Sequence, residues 1–165
     1  MKKILIVSDS HGNIDNFLNV IEKEKPDYKI HAGDFTVPIS VIEENFDWFV
    51  RGNNDYQGLK EQEFKIQNLN IVLTHGDDFG YGLWGGIDKL NTKIFNYAKS
   101  KSANVIITGH THVENFKIIN GIFLLNPGSI SLPRNANLIK SYMIIHINEN
   151  GILEKSLEEA VRYLD

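Results

Sequence analysis

Ile4-Leu5-Ile6-Val7-Ser8-Asp9-Ser10-His11 begins as an unbroken apolar run and ends in a carboxylate and an imidazole two positions apart. A strand with one wet face would alternate. A continuous run of this length suits a strand buried on both faces, in a sheet covered on both sides. Immediately downstream, Ile14, Phe17, Leu18 and Ile21 fall at helical spacing, with Asn13 as N-cap and Pro26 as stop. Tyr28–His31 reads as a second short strand, Pro38–Asn45 as a short helix and Asp47–Val50 as a third strand. Glu63–Gln67 and Ile71–Thr74, parted by Asn68-Leu69-Asn70, read as a hairpin. After it come a glycine-rich loop and a helix carrying Ile87, Leu90, Ile94 and Tyr97 on one face.

Val105–Thr108 is a further buried strand, and beyond it the texture changes. Val113–Ile119, Ile122–Leu125 and Tyr142–Ile147 are β-branched runs separated by turn residues such as Asn120-Gly121. Leu157, Ala160, Val161 and Leu164 return to helical spacing, with Glu154–Glu159 read as the exposed start of that helix. Strand–helix alternation followed by hairpins predicts an α/β (α+β) fold of mixed sheets with helices outside. No linker, repeat or low-complexity stretch divides residues 1–165, so a single domain is expected.

Composition narrows the function classes. Of 165 residues, 42% are apolar and 23% charged, and 17 basic against 21 acidic residues give a net charge of −4. A mildly acidic chain without a basic tract is a poor fit to long nucleic acid. Zero cysteines exclude a disulfide scaffold, a zinc finger and a thiol nucleophile. The apolar stretch Ile4–Val7 is too short for a signal peptide or membrane span, so a soluble, cytoplasmic protein without membrane association is expected.

Five polar clusters share one placement, each just past the C-terminal end of a predicted strand. They are Asp9-Ser10-His11, Gly33-Asp34, Gly52-Asn53-Asn54-Asp55, Thr74-His75-Gly76 and Gly109-His110-Thr111-His112. Open α/β sheets bind ligands at that edge. Past a strand, residues two apart point the same way, so Asp-x-His and His-x-His can aim both side chains into one cavity. The mixture of imidazole, carboxylate and amide favours Mn²⁺, Fe, Zn²⁺, Co²⁺ or Ni²⁺ over Ca²⁺ or Mg²⁺. Seven ligands exceed one open tetrahedral site and suit two ions sharing a carboxylate. A lone Gly-Asp or Gly-Asn would be ordinary turn chemistry; five clusters in this order are not.

These ordered motifs resemble the calcineurin-like metallophosphoesterase superfamily, and the short chain looks like its compact YfcE-type phosphodiesterase branch. The likeness spans residues 4–130 and includes Asn126-Pro127-Gly128-Ser129. It implies a four-layer α/β/β/α sandwich, metallo-dependent phosphatase-like, with a dinuclear site. Position by position it implies Asp9, His11 and His112 on one ion, Asn53, His75 and His110 on the other, Asp34 bridging, and Asp55 orienting a neighbour. The implied activity is hydrolysis of a small phosphodiester by a hydroxide bridging two transition-metal ions, with Mn²⁺ placed first. Where many members carry a His directly after the metal-binding Asn, this chain has Asn54, which cannot deliver a proton. High phosphomonoesterase activity is therefore not expected, although a monoesterase is one alternative. The other is a non-catalytic scaffold like the related retromer subunit; homo-oligomerisation stays open.

Other features are set aside. Gly80-Tyr81-Gly82-Leu83-Trp84-Gly85 matches a dinucleotide fingerprint in form, but no acidic residue follows about 20 positions on. It reads instead as a wall of the cleft, with Tyr81 and Trp84 read first as interface or packing residues and only second as stacking partners for a base or aryl group. His31 and His146 read as structural, and Arg51 and Arg134 as solvated cations. No Gly-x-Ser-x-Gly elbow supports a serine hydrolase.

Overall fold

The computed structural model describes residues 1–82 and 85–164. In chain order the elements are β1 (Lys2–Val7), α1 (Ile14–Glu24), β2 (Tyr28–His31), α2 (Ile39–Asn45) and β3 (Trp48–Phe49). Next come β4 (Glu61–Ile66), β5 (Leu69–Thr74), a 3₁₀ turn (Asp77–Phe79), α3 (Gly86–Ser100) and β6 (Val105–Ile107). The chain finishes with β7 (Glu114–Ile119), β8 (Ile122–Pro127), β9 (Ser141–Asn148), β10 (Gly151–Ile152), α4 (Leu157–Ala160) and β11 (Val161–Tyr163). Among the described residues no helix is long and apolar enough to cross a membrane.

The strands form two mixed sheets. In the first, β1 lies between parallel β2 and antiparallel β9; β3 extends it beyond β2, and β10 and β11 both pair with β9. The second runs β4-β5-β6-β8-β7, with parallel pairing at its centre and antiparallel hairpins at its edges.

Side-chain alternation along the central strands builds three apolar layers between four layers of structure. From β1, Ile4 and Ile6 meet Ile71 and Leu73 of β5 and Val105 and Ile107 of β6 between the sheets. Leu5 and Val7 face the other way, onto Phe17 and Val20 of α1 and Ile42 of α2. On the far side, Val72 and Ile106 pack against Leu90, Ile94 and Ala98 of α3. This is the α/β/β/α sandwich that the resemblance implies. It also explains why the run at Ile4–Val7 does not alternate, since all four residues have zero exposure.

Three expectations need correction. The helical spacing from Leu157 to Leu164 is real for only four residues. Val161–Tyr163 instead pairs antiparallel with Ser141–Met143, taking up an edge of β9 that would otherwise lie open. Glu154 is not part of an exposed helix start: it is buried, and its carboxylate accepts from His146 N at 2.6 Å and lies 2.8 Å from His146 Nδ1. The helix begins after Ser156, whose hydroxyl caps Glu159 N. On α1 the buried pair is Phe17 and Val20, with Leu18 exposed.

Candidate metal centre

Five loops converge at one edge of the sandwich, each continuing a strand. Asp9 and His11 follow β1, Asp34 follows β2, Asn53–Asp55 follow β3, His75 follows β5, and His110 and His112 follow β6. Asp9, Asp34, His75, His110 and His112 are buried, His11 is half-buried, and Asn53 and Asn54 are exposed.

Asp9 is central. Its Oδ2 accepts from Ser8 Oγ at 2.6 Å and from the His110 backbone N–H at 3.0 Å. Its Oδ1 has no hydrogen bond at all, although it is fully buried. That oxygen lies 3.1 Å from His112 Nε2, 3.7 Å from His11 Nε2 and 3.8 Å from His75 Nε2. Asp34 Oδ2 lies 3.3 Å from His75 Nε2 and 3.7 Å from His11 Nε2. Two overlapping triads result, Asp9-His11-His112 and Asp9-Asp34-His75, each with ligand atoms mutually within 4.8 Å. Asp9 and Asp34 each lie within 3.8 Å of both His11 Nε2 and His75 Nε2. His110 Nδ1 sits 3.2 Å from Asn53 Oδ1, and the His110 ring is 5.3 Å from that of His75.

Backbone carbonyls decide which nitrogen each ring presents. A carbonyl only accepts, so His75 Nδ1–H points to Ala32 O at 2.7 Å and His112 Nδ1–H to Leu132 O at 2.6 Å. Their Nε2 atoms are left as the nitrogens that could hold a metal ion. His75 Nε2 is buried and makes no hydrogen bond. A buried lone pair facing a carboxylate oxygen is unfavourable unless a cation or proton lies between them. The donor set therefore fits divalent cations, which would satisfy Asp9 Oδ1 and His75 Nε2 together.

The electrostatics agree. Burial alone would pull His75 down, but the Asp34 and Asp9 carboxylates beside it outweigh burial and raise it to about 9. Burial would raise Asp9, yet His11, His112, His75 and Ser8 hold it far below the carboxylate range. The site is built to pair negative oxygens with positive charge.

Supporting residues hold the loops. Asp55 Oδ2 accepts from Asp34 N and Gly52 N, both at 2.8 Å, and its Oδ1 from Thr36 N at 2.8 Å, so it ties the loop after β3 to the loop after β2. Asn54 spends its backbone N–H on Asp34 Oδ1 and one side-chain N–H on Asp34 Oδ2, at 2.8 and 2.9 Å. A Cβ at Gly109 would collide with Ser8 Oγ and Asp9 Oδ2, and one at Gly52 with the Asp34 carboxylate. Asp9, His11, Asp34, His110 and His112 all adopt left-handed backbone, with φ of 53°, 43°, 58°, 72° and 61°. Such strain in non-glycine residues gathers where function holds it in place.

Ser8, Ser129, whose hydroxyl donates to the Asp9 carbonyl at 2.8 Å, and the two carbonyls escape sequence reasoning, because their roles exist only in three dimensions. His31 lies apart from the ligands. It is fully buried, its Nδ1 accepts from Gly33 N at 3.0 Å, and its Nε2–H points to Ser10 Oγ at 2.8 Å. Tyr81 stacks on His110 at 4.2 Å, while Trp84 lies outside the described residues.

Residues 1–150 match the calcineurin-like phosphoesterase superfamily domain, and the chain belongs to that family. It is 33% identical to a probable metallophosphoesterase of Mycoplasma pneumoniae over 152 residues, covering 92% of this chain and 94% of that one. A phosphodiesterase of Methanocaldococcus jannaschii is 29% identical over 151 residues, 76% of this chain and 82% of that one. Among solved structures, a conserved predicted phosphoesterase of Streptococcus pneumoniae matches with a TM-score of 0.76 at 25% identity, over 99% and 97% of the two chains. A Vps29 single mutant of Entamoeba histolytica shares the fold, with a TM-score of 0.71 at 23% identity over 98% and 97%.

Proposed function

We propose that the protein is a metal-dependent phosphodiesterase. In this reading Asp9, His11 and His112 hold one divalent ion, Asn53, His75 and His110 hold another, and Asp34 lies between them. Mn²⁺ is the first choice, ahead of Ni²⁺, Zn²⁺, Fe and Co²⁺. The observation that carries the reading is the facing pair Asp9 Oδ1 and His75 Nε2, buried, 3.8 Å apart and both without hydrogen bonds.

Two such ions, when bound, lower the pKa of water towards neutrality and offset the charge that develops on phosphoryl oxygens. The chain's own residues set the geometry around them. Ala32 and Leu132 keep the Nε2 atoms of His75 and His112 turned inward, and Asp55 locks the loop that carries Asp34. Asn54 has a side-chain N–H beyond the one bound to Asp34 and offers it to a phosphate oxygen. It cannot protonate a departing alkoxide, so acidic leaving groups such as phenols are favoured. Space near the site supports a diester: a cavity of about 460 Å³ opens beside Gly109 and Tyr81, and one of about 340 Å³ along Asn54 and Tyr56.

The test is turnover of bis(p-nitrophenyl) phosphate beside p-nitrophenyl phosphate, with chelated protein and then with added Mn²⁺. Metal-stimulated cleavage faster on the diester is expected, and His75→Ala and Asp34→Ala abolish it. Faster cleavage of the monoester would make the protein a monoesterase. Metal binding with no turnover of either would favour the scaffold reading, to which the fold shared with Vps29 lends its support.

A further inference from the structure

The larger cavity is lined by residues flanking His75, His110 and His112 and by apolar side chains. Gly76 follows His75, Gly109 precedes His110, and Thr111 separates His110 from His112. The lining also includes Ile87, Leu90 and Ile94 of α3 and Val113, just before β7. Ile87 is 53% exposed, Tyr81 47% and Val113 38%, although all three line one concavity. A surface of exposed apolar groups around a single depression marks a ligand groove more often than chance exposure does.

The amides nearby are already engaged. Asn126 Nδ2 is bonded to Gly109 O at 2.9 Å and Thr111 Oγ1 at 3.2 Å, and Asn115 Nδ2 to Asn91 Oδ1 at 2.8 Å. Arg134, whose backbone N–H is bonded to His112 O at 3.0 Å, and Glu114, whose carboxylate accepts from Asn135 Nδ2 at 3.0 Å, bring one charge of each sign to the same lining.

We infer that the cavity beside His110 seats one organic arm of the diester and selects an apolar, ring-sized group there. This rests on the phosphodiesterase reading and extends it, placing one arm of the substrate against Tyr81 and Ile87.

Phenylphosphonate and methylphosphonate share a headgroup and contain no ester to cleave, so their binding to Mn²⁺-loaded protein by calorimetry reads the cavity apart from catalysis. Phenylphosphonate is expected to bind at least about tenfold more tightly. Ile87→Ser and Val113→Ser, both at exposed positions that the core does not need, each shrink that ratio about three- to tenfold. The ratio of kcat/KM for phenyl over methyl p-nitrophenyl phosphate is expected to fall in step. Equal binding of the two phosphonates, or a ratio that neither variant moves, overturns the inference. If the loaded protein cleaves neither ester, the phosphodiesterase reading fails, while the phosphonate ratio still decides what the cavity holds.

Discussion

One oxygen of Asp9 is saturated with donors and the other has none, and this division sets how far each neighbour matters. Ser8→Ala would leave Oδ2 with only the His110 N–H. Losing an outer hydrogen-bond partner of a metal ligand costs about 10–100-fold in metal affinity, so a weakening of that size is expected in a Mn²⁺ titration of Ser8→Ala. His31 governs a different property. Complete burial pushes it down from 6.5 to about 3, so the native imidazole stays neutral while the unfolded chain binds a proton below 6.5. Unfolded molecules then hold more protons than native ones, and stability falls as pH drops through that window. Between about pH 6 and 4.5 the wild type is expected to lose about 2 kcal/mol more than His31→Gln in urea unfolding. His31 read as structural from the sequence, but the reason did not show there. Two bonds, to Gly33 and Ser10, use both nitrogens, and no local pattern announces them.

Elements were legible wherever apolar periodicity and a cap agreed. Asn13 before Ile14, with apolar residues at helical spacing, places α1 correctly, and Asn13 Oδ1 accepts from Asn16 N at 3.0 Å. Asn13→Ala is expected to cost about 1 kcal/mol, read as a lower urea midpoint with an unchanged slope. The C-terminal segment misleads because helical spacing and a short strand share residues there. Val161 and Leu164 suit either, and only the unfilled edge of β9 decides for β11. Strand ends were legible as polar clusters, and their convergence on one cleft follows from two sheets whose C-terminal edges meet. What stayed hidden is the left-handed backbone at Asp9, His11, Asp34, His110 and His112. Asp and His are enriched in that region among non-glycine residues, but positive φ stays uncommon even for them, so the types alone do not predict it.

The molecule as a whole joins its two sheets through an apolar centre and through the cleft, since Asp9 and Asp34 come from one sheet while His75, His110 and His112 come from the other. Cations held between them would act as a clamp across the sandwich. Mn²⁺ at about 100 times its Kd should add about 2.7 kcal/mol to stability, seen as a rise of roughly 5–10 °C in Tm, and Asp34→Ala should lose most of that rise. The strained ligand loops carry a longer consequence. Glycine or asparagine accepts a left-handed backbone with less penalty than histidine, so positions 110 and 112 are held against the conformational interest of the chain. A descendant released from its chemistry would gain stability by drifting to those residues. Their arrival in a lineage would date the moment at which the hydrolase fell silent while its architecture lived on.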